Sequence, residues 1–325
     1  MNFNRSLLAS LVAMVGGFAV VSWVSSGTVL SLLTQAIVYA VFALGIGVLL
    51  KQNGMVSFGH ALYFGSAGYL LGIMLQLQVA SAETIIFLTL AVITIVGFLF
   101  GLIIVRVPGV AFGMLTLAIG QMFYLTASRA RGFTGGADGM NIDWPSTLFG
   151  FPVSQILKPG SMFLICWATL VLVMFLVGCL LRSRFGAITE AVRDNEERAR
   201  FIGISTLMPR AAVYALSALI TAVAGVMSAL NTGFVSPENL HWSLSGMTLM
   251  MVVVGGFKVL WGPALGAVVY FIFKDILGDY ASHWMTIFGV VLIAVIVFSP
   301  TGIAGAVMRL IASKPATAKR VASGH

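Results

Sequence analysis

The sequence predicts an all-α polytopic membrane protein of about ten transmembrane helices with both termini cytoplasmic. Three observations carry that expectation. Hydrophobic residues make up 59% of the 325-residue chain and charged residues 9%, at a mean hydropathy of +1.05, which excludes an ordinary soluble domain. The apolar residues fall in continuous runs close to the roughly 20 needed to cross hydrocarbon as a helix, without the period-two alternation of a β-barrel. Finally, Lys and Arg are sorted to one side of those runs.

In chain order the expected spans are 6–24, 29–50, 58–77, 84–105, 110–128, 161–181, 210–230, 244–257, 262–277 and 284–299, the last three short or Gly-rich. The first has no A-x-A-like cleavage site after it and is read as a retained span. Gly97-x-x-x-Gly101, Gly109-x-x-x-Gly113 and Gly262-x-x-x-Gly266 have the spacing of close helix packing. Cys166 and Cys179, 13 residues apart on one helix, lie about 20 Å apart along its axis and cannot bridge. No metal site is visible. The stretches 56–62 (VSFGHAL) and 259–265 (VLWGPAL) are faintly alike, as in an internal repeat.

With a cytoplasmic N-terminus, 14 of the 18 Lys and Arg fall inside and four (Arg129, Arg131, Lys158 and Lys274) outside. That bias sets orientation and explains the net charge of +8 better than nucleic-acid binding does. Reading 244–277 as one helix would put the basic tail outside, so a break at Lys258–Pro263 is preferred. The expected organisation is a membrane domain over 1–308, with an external loop at 129–160 and a cytoplasmic loop at 182–209, then a basic tail over 309–325.

No Asp, Glu, Lys or Arg falls near the middle of a span, which disfavours a purely ion-coupled carrier. A phosphate-binding G-x-x-x-x-G-K-[ST] loop is absent, as are G-x-S-x-G, H-E-x-x-H and paired carboxylates within a span. No catalytic residue is assigned and no cofactor is expected on this chain. If ATP drives it, another chain binds the nucleotide.

Ten of the 28 charged residues crowd between Arg182 and Arg210. From Ile188 to Ile202 the segment reads as one amphipathic helix, with Ile188, Ala191, Val192, Ala199 and Ile202 on a shared face. Asp194–Arg198 and Glu196–Arg200 are i, i+4 ion pairs, and Gly203 suits the C′ position. A helix lying on lipid is usually more basic, with bulkier apolar groups. The mixed charge and small face favour a docking surface for a soluble partner.

The segment RSRFGAITEAVRDNEERARFIGI resembles the cytoplasmic loop of the branched-chain amino-acid class of ABC importer permeases. GMVSFGHALYFGSAGY (54–69), TGGADGM (134–140), and GFVSPENLHW with MMVVVGGFKVLWGPALGA (233–267) resemble further stretches of that family, in the expected order. The resemblance implies that 186–203 seats on a cytoplasmic ATPase subunit, with Glu190, Arg193, Asp194, Asn195, Glu196, Ala199 and Gly203 as its coupling residues. It also implies two such ATPases that bind the ATP, a second related permease, an external solute-binding protein, and a multi-pass location in the bacterial inner membrane. Relatives serve branched-chain amino acids, urea and short amides, and a stand-alone carrier or channel for small polar solutes is the competing class.

Two polar groupings are candidates for the translocation path. Ser57, an expected N-cap, Gly59 and His60 begin one span, and His60 reads first as a satisfied interfacial histidine. Thr116, Gly120 and Gln121 form the polar cluster within another, with helix packing and path lining equally open. Gly255 and Gly256 end a span short enough to be broken or re-entrant. Trp144, Pro145 and residues 237–242 sit in outer loops as interfacial anchors or contacts for a binding protein.

Overall fold

Each of the ten apolar runs folds as an α-helix. The computed structural model describes residues 3–24, 26–107, 109–278, 284–299 and 301–312. Its helices are α1 (Phe3–Trp23), α2 (Gly27–Asn53), α3 (Ala61–Gln76), α4 (Ala82–Ile104), α5 (Val110–Arg129), α6 (Arg131–Thr134), α7 (Val153–Ile156), α8 (Pro159–Leu181), α9 (Arg184–Asp194), α10 (Glu196–Phe201), α11 (Leu207–Thr232), α12 (Trp242–Gly255), α13 (Gly262–Gly278), α14 (Trp284–Phe298) and α15 (Gly302–Ala312). Among the described residues, α2, α4, α5, α8 and α11 are each long and apolar enough to cross a bilayer. The pair α14–α15, bent by 46°, makes a sixth if counted as one span. The shorter α3 and α12, of 16 and 14 residues, fall below that length. Of the basic tail, 313–325 lie outside the described residues.

Burial divides the long helices into two kinds. The apolar stretches of α2 and α11 are 78% buried, those of α4, α5 and α8 28%. A helix hydrophobic all round belongs in a protein core or in lipid, and here α2 and α11 take the first role. They pack against each other, and the Ser217 hydroxyl of α11 donates to the Gly45 carbonyl of α2 at 2.7 Å. The peripheral helices turn Ile95, Leu99, Ile103, Met114, Leu172 and Leu176 outward, a surface suited to acyl chains.

The first helix docks on α8. Trp167 donates its indole N–H to the Ala13 carbonyl at 2.8 Å, and its ring covers Gly17. Cys166 and Cys179 of α8 are free thiols. The 129–160 loop is ordered by short strands. β1 (Met140–Asn141) pairs antiparallel with the later β4 (Phe234–Val235), and β2 (Thr147–Leu148) with β3 (Phe151–Pro152). A Glu83 carboxylate oxygen at the start of α4 accepts from the Phe149 N–H at 2.7 Å.

The chain breaks between α12 and α13 over 256–261, overlapping the preferred break at Lys258–Pro263, with Pro263 in the first turn of α13. Gly256 has φ 95°, and a Cβ there would strike the Thr301 carbonyl; one at Gly255 would strike the Gly262 carbonyl. The ends of α12, α13 and α15 therefore meet backbone on backbone. The two faintly alike heptapeptides both run into helix starts, those of α3 and α13.

Candidate functional site

The charged excursion between α8 and α11 departs from the expected single helix. It forms two, α9 and α10, broken at Asn195, whose backbone is extended (φ −157°, ψ 101°) and whose side-chain oxygen accepts from the Arg198 N–H at 2.9 Å. Asn favours caps over helix interiors because its side chain competes for backbone groups. The expected Asp194–Arg198 pair, which needs one continuous helix, is absent. Arg193 instead bonds Asp194 at 2.7 Å and Glu190 at 3.3 Å. The shared apolar face is also corrected: Val192 and Ala199 are buried, whereas Ile188, Ala191 and Ile202 are exposed. Glu196–Arg200 forms as expected at 2.6 Å. Gly203, at φ 84°, ends α10, with its N–H on the Arg200 carbonyl and the Ile204 N–H on the Ala199 carbonyl, the Schellman arrangement.

This segment is tied to the two central helices. Arg193 donates to the Lys51 carbonyl in the last turn of α2, where unpaired carbonyls and the helix dipole favour a cation. The Thr189 hydroxyl donates to Gln52 Oε1 at 2.6 Å, and Asn53 Nδ2 to the Arg210 carbonyl at 3.0 Å. Glu196 joins the loop to α11: one oxygen accepts from Arg210 at 2.6 Å, the other from Thr206 at 3.0 Å and from Arg200 at 2.6 Å.

Burial works to raise the pKa of Glu196, but the Thr206 hydroxyl and the charges of Arg210 and Arg200 outweigh it and hold the carboxyl below its ordinary value. A group depressed in this way contributes stability above its unfolded pKa and loses it as pH falls through the folded one. Hydrogen exchange over 184–206 is therefore expected to be slow near neutral pH and to accelerate once pH drops below the carboxylate range, about pH 4. Protection, corrected for intrinsic exchange, that stays constant down to pH 3 would contradict this.

Of the seven residues implied for partner contact, Arg193 and Glu196 are half-buried braces and Ala199 is buried, whereas the cap Asn195, the Arg193 partners Glu190 and Asp194, and Gly203 are exposed. The sequence reading missed Phe201 and the exposure of Ile202, 88% and 74% exposed. Two bulky apolar residues immediately before a C′ glycine were the available signal. It also missed the inward partners Gln52, Asn53, Thr189, Thr206 and Arg210.

Ser57, Gly59 and His60 lie in the non-helical stretch before α3 and are buried. Ser57 does not cap a helix at 58; α3 begins at Ala61, and the serine hydroxyl bonds His60 Nδ1 at 2.7 Å. His60 is wholly buried and satisfied, its Nε2 2.7 Å from the Ser217 hydroxyl. The network assigns the tautomer. Ser217 already donates to Gly45, so it accepts from Nε2–H; Nδ1 then accepts from Ser57, whose oxygen accepts the Gly59 N–H at 3.3 Å. Buried backbone must find partners: the Phe58 N–H donates to Thr116 Oγ1 at 3.2 Å and the Ala61 N–H to Ser245 Oγ at 2.7 Å.

A Cβ on Gly59 would collide with the Thr116 carbonyl, and Gly120 packs against the Gly59 backbone, so Ser57, Gly59, His60, Thr116 and Gly120 converge on one node. Gln121 is half-buried beside it in sequence, with Oε1 buried and unbonded. Gly255 and Gly256 lie at the separate junction of α12, α13 and α15. Thr116→Val removes the acceptor of the Phe58 N–H and is expected to cost about 1–3 kcal/mol, read as a lower unfolding temperature in detergent; Thr116→Ser is expected to restore it. An unchanged Thr116→Val midpoint would contradict that role.

Bilayer-length apolar helices around a core free of charge, with one braced polar excursion, define a multi-pass membrane protein with no hydrolytic constellation among the described residues. Similarity to known proteins is more specific. The model of the family described as branched-chain amino acid transport system / permease component matches residues 28–299, and the chain belongs to that family. It is 25% identical to the high-affinity branched-chain amino acid transport system permease protein LivM of Salmonella typhimurium, covering 87% of this chain and 72% of that protein. To LivM of Escherichia coli K12 it is 24% identical over the same shares. The autoinducer 2 import system permease protein LsrC of Escherichia coli O157:H7 is 28% identical, covering 91% of this chain and 86% of that protein. No solved structure gives a significant match. The chain is a transport permease of the inner membrane.

Proposed function

We propose that this chain is the transmembrane permease subunit of an ATP-driven importer of branched-chain or related amino acids. Separate cytoplasmic ATPase subunits bind and hydrolyse the ATP and seat on the 182–209 segment. A second, related permease completes the path, and an external solute-binding protein delivers the solute. The ten helical runs and the Lys/Arg bias support ten crossings with both termini cytoplasmic, a membrane domain over 1–308 and a basic tail over 309–325.

One observation carries the reading: the excursion is anchored to both central helices, so a push on α9–α10 moves α2 and α11 as a body. In this reading Glu190, Asp194 and Gly203, with Phe201 and Ile202, meet the ATPase, while Arg193, Asn195, Glu196 and Ala199 keep the lever stiff. Ser57, Gly59, His60, Thr116 and Gly120 act as a packing node behind the path, as Gly255 and Gly256 do at their junction. Phe201→Asp places a charge where an apolar contact is needed. It is expected to reduce co-purification with the ATPase subunits at least tenfold without lowering the unfolding temperature; undiminished co-purification would contradict the docking assignment. A second reading, import of a solute that is not an amino acid, draws on the similarity to the autoinducer 2 permeases.

A further inference from the structure

A cavity of about 250 Å³ opens between the N-terminal part of α2, the C-terminal end of α11, the 234–239 stretch, α12 and α13. It lies at the opposite ends of α2 and α11 from the anchored loop, about 25–30 Å away along the helices. Gln35, Ser228, Asn231 and Asn239 line it, and among the described residues their side chains make no hydrogen bond to the protein. Leaving that many donors and acceptors unmatched beside apolar helices is costly, unless the space they face holds water or a polar guest. Convergent polar groups in a partly apolar concavity are the ordinary composition of a small-molecule site.

The one charged lining residue is Lys274. Its ammonium lies 5.7 Å from the centroid of the Phe271 ring, and it forms no ion pair among the described residues. Val38 and Met247 supply an aliphatic wall, and Tyr39 packs on Phe271 with ring centroids 5.2 Å apart. One positive charge, several neutral hydrogen-bonding groups and an apolar wall match a small aliphatic amino acid.

Resting on the permease reading above, we infer that this cavity binds the transported solute, with Lys274 taking its carboxylate, Gln35, Asn231 and Asn239 its remaining polar groups, and Val38 and Met247 its side chain. Because α2 and α11 carry the loop at one end and this cavity at the other, motion of the loop changes the cavity's shape directly.

Equilibrium binding of radiolabelled leucine to the full chain in lipid nanodiscs tests this. The wild type is expected to bind, Lys274→Met to bind at least tenfold more weakly, and Lys274→Arg to stay within about threefold, given the strength of hydrogen bonds to charged groups. Leucinamide, which lacks the carboxylate, is expected to compete at least tenfold less well than leucine on the wild type and to lose that handicap on Lys274→Met. Wild-type leucine affinity in Lys274→Met, no leucine binding by the wild type, or binding of ribose in place of leucine would each overturn the assignment. ATPase co-purification, measured on the same proteins, separates the two readings. It is expected to survive Lys274→Met, and its absence from the wild type would count against the permease reading.

Discussion

Glu196→Ala is expected to uncouple the protein while leaving its membrane body folded. The substitution leaves Arg210, Arg200 and Thr206 without their common acceptor. Hydrogen bonds to a charged group contribute about 1.5–3 kcal/mol where partly buried. Glu196 is 31% exposed and Arg210 15%, so solvent screens part of that interaction and a net local loss of about 2 kcal/mol is reasonable. Such a loss shifts an opening equilibrium by roughly thirtyfold. ATP-dependent leucine uptake is expected to fall at least tenfold in the reconstituted complex, with the unfolding midpoint of the membrane body little changed. Glu196→Gln, which keeps an acceptor oxygen and loses the charge, is expected to fall between. Wild-type uptake in Glu196→Ala would remove the brace from the mechanism.

The second large effect is expected at His60. Its ring bridges Ser57 to Ser217 and packs edge-on against Tyr63 and Tyr214, with centroids 5.6 and 5.4 Å away. Alanine there opens a cavity where the buried stretch before α3, α2 and α11 meet, and leaves the Ser57 hydroxyl without its acceptor. Truncating a buried aromatic-sized side chain typically costs about 3–5 kcal/mol, and membrane hydrogen bonds add about 0.6 kcal/mol on average. His60→Ala is therefore expected to lose most of its folded yield and to unfold well below the wild type in a detergent thermal ramp. If His60 lined the path instead, folding would be unchanged and only transport affected.

Much of the architecture was legible because lipid leaves a chain few options. Each long apolar run had to become a helix, and all ten did, including the break before Pro263 that charge sorting favoured. Local chemistry was legible too where it spans a single turn: Gly203 ends α10, and Glu196 pairs with Arg200. The misreadings arose where a local pattern met a distant partner. Asn195 reads acceptably inside an amphipathic helix, and only its cap to Arg198 shows that the chain breaks there. The sequence around Arg193 and Glu196 likewise gives no sign of their bonds to the Lys51 carbonyl and to Arg210. The polar node has the same origin. Ser57 has the features of an N-cap, yet its partner is His60, held in turn by Ser217, 157 residues further along the chain. Nothing in the periodicity of α2, α11 or α13 marked Gln35, Asn231 and Lys274 as neighbours.

Leucine accumulation in vesicles, compared between the chain alone and the chain assembled with the proposed ATPases, second permease and binding protein, tests the proposed ATPase-driven import most directly. Accumulation against a gradient is expected only in the full assembly, only with ATP inside the compartment that faces 182–209, and not with Phe201→Asp. Uphill accumulation by the isolated chain, or uptake indifferent to nucleotide, would contradict it.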